Sequence, residues 1–252
     1  MSSEAFYTIR PVFLGSMTGD KANSLYHYPK GETARSVYAC FALCAGDETI
    51  LVDSGLPSQE DIRGNHKPFR QMADAPDFLT ALQKTGIDPA SIHTVILTHL
   101  HYDHCCNLRL LPNLQTVYVQ KRELLHAISP RQDELYYYSL LPACGKPEWT
   151  DALGKLRLVD GDCELLPGIQ VFLTPGHSPG SQSVLVQTKR GAHLLTGDYI
   201  ALMDSYTKRI PNAIVNNLDE WYESYDKVKA LSAVRLLPGH DPVIFEQDVY
   251  GE

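Results

Sequence analysis

The segment Thr98-His99-Leu100-His101-Tyr102-Asp103-His104 sets three imidazoles and one carboxylate within six consecutive positions, 99–104. Neutral imidazole and carboxylate are the side chains that hold divalent first-row metal ions. Val95-Ile96-Leu97 just before them read as a buried strand, so the four donors stand where a strand gives way to a turn. Alternate residues of an extended backbone face the same way, which puts His99 and His101 on one side. Asp103 and His104 lie past the bend and face elsewhere. The first pair suits one cation and the second pair its neighbour. The competing reading is a set of ordinary polar residues at a strand end. Four such groups crowded together desolvate and repel one another unless something cationic neutralises them, so a metal site is the expectation.

Three later stretches end the same way. Residues 169–173 lead into Thr174-Pro175-Gly176-His177, residues 193–196 into Gly197-Asp198, and residues 234–237 into Pro238-Gly239-His240. If these strands lie in sheets with like ends together, His99, His177, Asp198 and His240 converge on one rim. Asp53 closes the apolar run Ile50-Leu51-Val52. It reads equally as a turn residue bonding its own backbone and as an acceptor that orients a metal-held histidine.

The elements that must position these turns follow from pattern. Residues 5–14 read as an edge strand, because Pro11 has no N–H to give a ladder, and residues 15–35 read as a long polar loop. Residues 36–45 and 49–53 make a hairpin across Gly46-Asp47-Glu48. A polar connection over 56–76 contains an isolated His66, read as solvated. Asp77 caps a helix running to about Thr85, with Gly86 as its stop. After His104 a short helix carries Leu108, Leu110 and Leu111. A strand at 116–119 and a short helix at 121–127 follow. Residues 129–149 are aromatic and irregular, and Tyr136-Tyr137-Tyr138 fits a core or dimer contact as well as a substrate wall. Strands are expected at 155–159, 169–173, 183–188, 193–196 and 234–237. Asn217-Leu218-Asp219-Glu220 reads as a capping box before a helix whose apolar stripe is Leu218, Trp221, Tyr222, Tyr225, Val228 and Leu231.

At 252 residues and 44% hydrophobic content, one domain spanning 1–252 is the default. The opening Met-Ser-Ser-Glu-Ala-Phe lacks the basic start and apolar run of a signal peptide, and no window has the length of a membrane span. A cytoplasmic protein without membrane contact is expected. Six cysteines without a secretory signal read as reduced thiols, and Cys105 and Cys106 beside His104 read as packing. A net charge of −8 with no basic run argues against a nucleic-acid partner.

Together, Thr-His-Leu-His-Tyr-Asp-His at 98–104, Thr-Pro-Gly-His at 174–177, Gly-Asp at 197–198, Gly-His at 239–240 and Leu-Val-Asp-Ser-Gly at 51–55 resemble the metallo-β-lactamase superfamily in residues and order. The resemblance covers nearly the whole chain. It implies an α+β fold, an αββα sandwich of two mixed sheets flanked by helices, with a binuclear metal site on the rim. Carried over by position, His99, His101 and His177 hold one metal, Asp103, His104 and His240 the other, and Asp198 bridges them. Asp53 then supports a ligand from behind. Zinc is the default ion, while nitrogen and oxygen donors without thiolate also suit manganese, iron or cobalt. Two metals about 3.5–4 Å apart share a hydroxide and polarise a carbonyl or phosphoryl oxygen.

Within the superfamily the chain looks most like the N-acyl-homoserine lactonases. The implied reaction is opening of a small lactone by the bridging hydroxide, with Asp103 shuttling the proton. The alternatives are a glyoxalase II-like thioesterase or a phosphoester hydrolase on the same metals. Two departures stand out. Lactonases of this kind usually carry a tyrosine three residues after the bridging aspartate, where this chain has Ala201, leaving Tyr199 and Tyr206 as substitutes. Cys106 stands where glycine is common. The aromatic patch and the resemblance suggest a homodimer acting on a small-molecule substrate.

Overall fold

The computed structural model describes residues 5–46, 48–57, 72, 74–231 and 234–252, and its strands form two mixed sheets. The first runs β1 (Thr8–Asp20), β2 (Thr33–Ala45), β3 (Glu48–Val52), β4 (Ile92–Ile96), β5 (Thr116–Gln120) and β6 (Leu156–Val159) in spatial as well as chain order. β1, β2 and β3 pair antiparallel; β3 to β6 pair parallel. The second sheet comprises β7 (Cys163–Leu166), β8 (Ile169–Leu173), β9 (Gln182–Thr188), β10 (Gly191–Gly197) and β11 (Arg235–Pro238), in the order β11-β10-β9-β8-β7. Only β10 and β11 pair parallel.

Alternation along each strand builds the layers. On β2, Val37, Ala39, Phe41 and Leu43 face the second sheet, while Tyr38, Cys40 and Ala42 face the opposite way. Val184, Val186, Leu195 and Leu237 meet them from the second sheet, so the sandwich interior is apolar. The far face of the first sheet packs on helix α1 (Phe78–Lys84) through Phe78, Ala81 and Leu82. That of the second packs on helix α5 (Leu218–Ala230) through Trp221, Tyr225 and Val228. Between them in sequence lie α2 (Tyr102–Cys105), α3 (Lys121–Ile128) and α4 (Met203–Lys208). Four layers result, helix, sheet, sheet, helix, as the motifs imply. Among the described residues no helix is long and apolar enough to cross a membrane.

Several boundaries differ from those read in the sequence. β1 is the sheet edge, as Pro11 requires, but it continues to Asp20 and β2 begins at Thr33, so much of the expected 15–35 loop is strand. Pairing of Gly15 with Tyr38 and Asp20 with Thr33 supplies an order that local propensity does not. The helix near the His motif begins at Tyr102, ahead of His104, and Leu108–Leu110 form only a 3-10 turn. β7 and α4 have no counterpart in the pattern reading. The caps are where expected: the Asp77 carboxylate accepts the Thr80 N–H at 3.0 Å, and Asn217 Oδ1 accepts the Glu220 N–H at 3.2 Å. Asp47, His66 and most of the 56–76 connection lie outside the described residues.

Candidate metal centre

Strand direction explains why distant residues meet. Two antiparallel steps, β8 to β9 and β9 to β10, restore one direction, which β11 shares by parallel pairing. The C-terminal ends of β8, β10 and β11 therefore deliver His177, Asp198 and His240 to one rim, where β3 and β4 bring Asp53 and the 98–104 turn. The two sheets are tied at that rim: Gln182 donates its side-chain N–H to the Leu97 carbonyl at 2.7 Å and its backbone N–H to Thr98 at 2.9 Å. Gly197 makes the approach possible, having φ +54° and no Cβ to fall 2.8 Å from Thr98.

Two clusters result, His99 with His101 and His177, and Asp103 with His104, Asp198 and His240; within each, the donor atoms lie within 4.8 Å of one another. In the first, His101 Nδ1 and His177 Nε2 are 3.0 Å apart. In the second, Asp103 Oδ2 is 3.7 Å from the Nε2 atoms of both His104 and His240. Asp198 stands between the clusters. Its Oδ1 is 3.1 Å from His104 Nε2 and 2.9 Å from His240 Nε2, and its Oδ2 is 3.6 Å from His177 Nε2.

The outward nitrogens decide which atoms face inward. His177 Nδ1 donates to the Ile214 carbonyl and His240 Nδ1 to the Val37 carbonyl, each at 2.8 Å, so in the neutral ring each Nε2 lone pair points into the cluster. Asp53 serves two other ligand candidates. Its Oδ1 accepts the Thr98 N–H at 2.7 Å, and its Oδ2 takes the Thr98 hydroxyl at 2.9 Å and His104 Nδ1 at 2.8 Å. Because that hydroxyl is spent on Asp53, its oxygen is left to accept from His99 Nδ1, 3.0 Å away. Asp53 reaches these partners from a left-handed backbone with φ 64°, which aspartate tolerates better than most residues.

Electrostatically the clusters diverge. Burial, with the neighbouring imidazoles, holds His99 and His101 well below the usual histidine range. At His104 burial acts in the same direction, but Asp198, Asp103 and Asp53 outweigh it and push the ring well up; Asp198 does the same for His240. Despite burial, His240 and His104 hold the Asp198 carboxyl well below the carboxylate range.

The residues fit a pair of cations. His99 Nε2, His104 Nε2 and Asp198 Oδ1 are buried without a hydrogen-bond partner, and the last two sit 3.1 Å apart without the alignment of a hydrogen bond. Buried polar atoms as a rule are paired. Lone pairs from separate segments, turned toward a shared space and away from protein donors, suit a positive ion, and the set of imidazole and carboxylate donors suits a divalent one.

A model of the metallo-β-lactamase superfamily matches residues 35–240. The chain belongs to that superfamily. As a metallo-β-lactamase relative it is a metal-dependent hydrolase, and the curated proteins it resembles agree in kind. The N-acyl homoserine lactonase of Bacillus cereus is 27% identical over 207 residues, 79% of this chain and 74% of the relative. That of Bacillus thuringiensis is 27% identical over 221 residues, 82% and 78% of the two chains. Among solved structures, a quorum-quenching N-acyl homoserine lactone lactonase matches with TM-score 0.76 at 22% identity, covering 98% of this chain and 96% of that one. AidC, described as a dizinc quorum-quenching lactonase, matches with TM-score 0.71 at 17% identity, covering 96% and 92%. At these identities the structural likeness is one of fold.

Two residues expected at the superfamily's rim are not brought there. Tyr199 is fully buried in the outer layer, its ring 5.6 Å from that of Trp221, and its hydroxyl is without a partner. Tyr206 packs in the same layer against Tyr225, under the Lys229 ammonium. Ala201 uses its backbone, accepting the His240 N–H at 2.9 Å. The aromatic groups beside the clusters are others. Tyr38 lies edge-on to His240 at 4.8 Å, and Tyr137 and Tyr138 flank His101 at 5.2 and 4.8 Å. Of the 136–138 patch, Tyr138 is core, while Tyr137 joins His101, His177 and Ile214 in lining a cavity of about 250 Å³. Asn212, which donates to the Asp198 carbonyl, carried no signal in the sequence. Cys105 is core, its thiol pushed well up by burial, and Cys106 Sγ bonds the Tyr102 carbonyl at 2.7 Å.

Proposed function

We propose that this chain opens lactone rings, N-acyl homoserine lactones foremost, using two divalent cations held by the paired clusters. The observation that carries the reading is Asp198 set between two groups of donors, with His99 Nε2, His104 Nε2 and Asp198 Oδ1 buried without a hydrogen-bond partner, in a chain similar to curated lactonases. His99, His101 and His177 hold one cation, Asp103, His104 and His240 the other, with Asp198 shared. Zinc is the ion expected first. Bound there, the cations supply Lewis acidity toward the carbonyl and a water acidic enough to attack it near neutral pH.

The protein's own groups orient and carry protons. Asp53 and the Val37 and Ile214 carbonyls fix the tautomers and directions of the imidazoles. Ring opening adds water across the ester: the carbonyl carbon gains an oxygen, the carbon–oxygen ring bond breaks, and the freed ring oxygen takes a proton. Asp103, partly exposed and 3.7 Å from both His104 and His240, is the group placed to carry that proton. Tyr137 and Ile214 form the wall beside the first cluster.

The test is proton release from a panel of acyl-homoserine lactones, other lactones, thioesters and phosphoesters, with and without chelator, together with elemental analysis of the protein. Chelator-sensitive turnover fastest on lactones is expected. Turnover confined to thioesters or phosphoesters overturns the substrate assignment, and activity in metal-free protein overturns the site.

A further inference from the structure

Glu123, on α3, is a fully buried carboxylate on which four donors converge. Its Oε1 accepts the Leu100 N–H at 3.0 Å and the Tyr138 hydroxyl at 3.1 Å. Its Oε2 accepts the Ser178 hydroxyl at 2.7 Å and the Gly180 N–H at 2.9 Å. Leu100 separates His99 from His101, and Ser178 follows His177. One side chain therefore grips both turns that carry the three-histidine cluster, and through Tyr138 it reaches the ring against which His101 packs. The fit is close: a Cβ on Gly180 would fall 2.2 Å from the Glu123 backbone nitrogen, so only glycine lets the His177 turn close on α3.

We propose that Glu123 is a positioning residue for the cation held by His99, His101 and His177; the inference rests on reading that cluster as a metal site. A buried carboxylate is costly unless its oxygens are filled, and filling them here takes backbone from both ligand turns, so their mutual register is fixed by one group. The second cluster has Asp53 in the corresponding place, holding His104 and, through Thr98, reaching His99. Outer partners of this kind set ligand direction and hence metal affinity.

Glu123→Gln keeps the shape and removes the match. Whichever way the amide turns, its NH2 faces the Leu100 or the Gly180 N–H, and neither can accept; the hydroxyls of Tyr138 and Ser178 can rotate, the backbone cannot. Zinc affinity is measured by competition with a chromophoric chelator, using His177→Ala as the reference that lacks the three-histidine cation. The expected result is a loss of about 10–100-fold in affinity for that cation alone, with the other unchanged. Zinc-induced elevation of the melting temperature shrinks accordingly, whereas a merely structural role lowers the metal-free and loaded forms together. Unchanged affinity for both cations, or equal weakening of both, overturns the inference while leaving the metal site standing; failure of the unaltered protein to bind zinc overturns the two together. If Glu123→Gln does not fold, Ser178→Ala removes one donor and keeps the charge. It shows a smaller loss confined to the same cation, and no loss there overturns the proposal.

Discussion

The two clusters share a rim, a carboxylate set between them and imidazole donors, yet they are held in opposite ways. His99 and His101 are driven down by burial, and the turns that carry them and His177 are anchored from behind by the Glu123 carboxylate, which hydrogen-bonds none of the three rings. His104 and His240 face carboxylates directly, which reverses the effect of burial on both. With Asp198 shared, a dication on the three-histidine side would meet that one carboxylate, and its neighbour would meet Asp198 and Asp103, so the first would keep more of its pull on a substrate oxygen. The inequality between the halves is therefore built into the donor set, and substitutions should sort by which half they reach.

Asp198 belongs to both and gives the largest effect. Asp198→Ala is expected to lose both cations on gel filtration and to have no measurable turnover, read by elemental analysis beside proton release. Retention of one cation with activity would mean that the halves work independently. Asp103→Asn comes next. The amide keeps the volume but neither carries a proton nor offers a charged donor, so turnover falls by about 10²–10⁴-fold while the melting temperature barely moves. If metal-replete Asp103→Asn retains its rate, Asp103 has no part in proton transfer.

Asp53→Asn is expected to be milder and one-sided. With its oxygen on the Thr98 N–H, the amide presents NH2 to His104 Nδ1, which can then no longer donate there, and the ring's preferred tautomer inverts. A loss of about 10–100-fold in affinity at the carboxylate-rich cluster follows, checked by zinc competition, with the three-histidine cluster affected less. This contrast also marks what sequence makes legible. The donors of the 98–104 turn could be read because metal chemistry restricts residue type and spacing within one short stretch. Asp53, with the same residue type at a strand end, stayed open between a turn and a partner role until its contacts were seen. Glu123 gave no signal at all, since the short helix expected at 121–127 did not set it apart from its neighbours Lys121 and Arg122. The extension of β1 was hidden for a related reason: residues 15–20 are ordered by β2, far along the chain, and not by their own propensity.

The smallest expected effects sharpen the comparison from outside the clusters. With Ala201 three residues after Asp198, where the lactonase resemblance implies a tyrosine, Tyr199 and Tyr206 are the neighbouring hydroxyls by sequence. A hydroxyl within a few positions of a ligand can still belong to another layer, because the 3-10 turn Asp198–Ile200 sends successive side chains to different faces. Tyr199 goes to the Trp221 layer, where its hydroxyl is buried without a partner. Removing an unpaired buried hydroxyl costs little and can stabilise. Tyr199→Phe should therefore melt at or above the parent temperature, and both it and Tyr206→Phe should keep kcat/KM within about threefold, under 1 kcal/mol of transition-state stabilisation. Tyr137→Phe, beside His101 in the cavity wall, should change KM more than either. A tenfold loss of kcat in Tyr199→Phe with KM unchanged would return that hydroxyl to the reaction and require the outer layer to open during turnover.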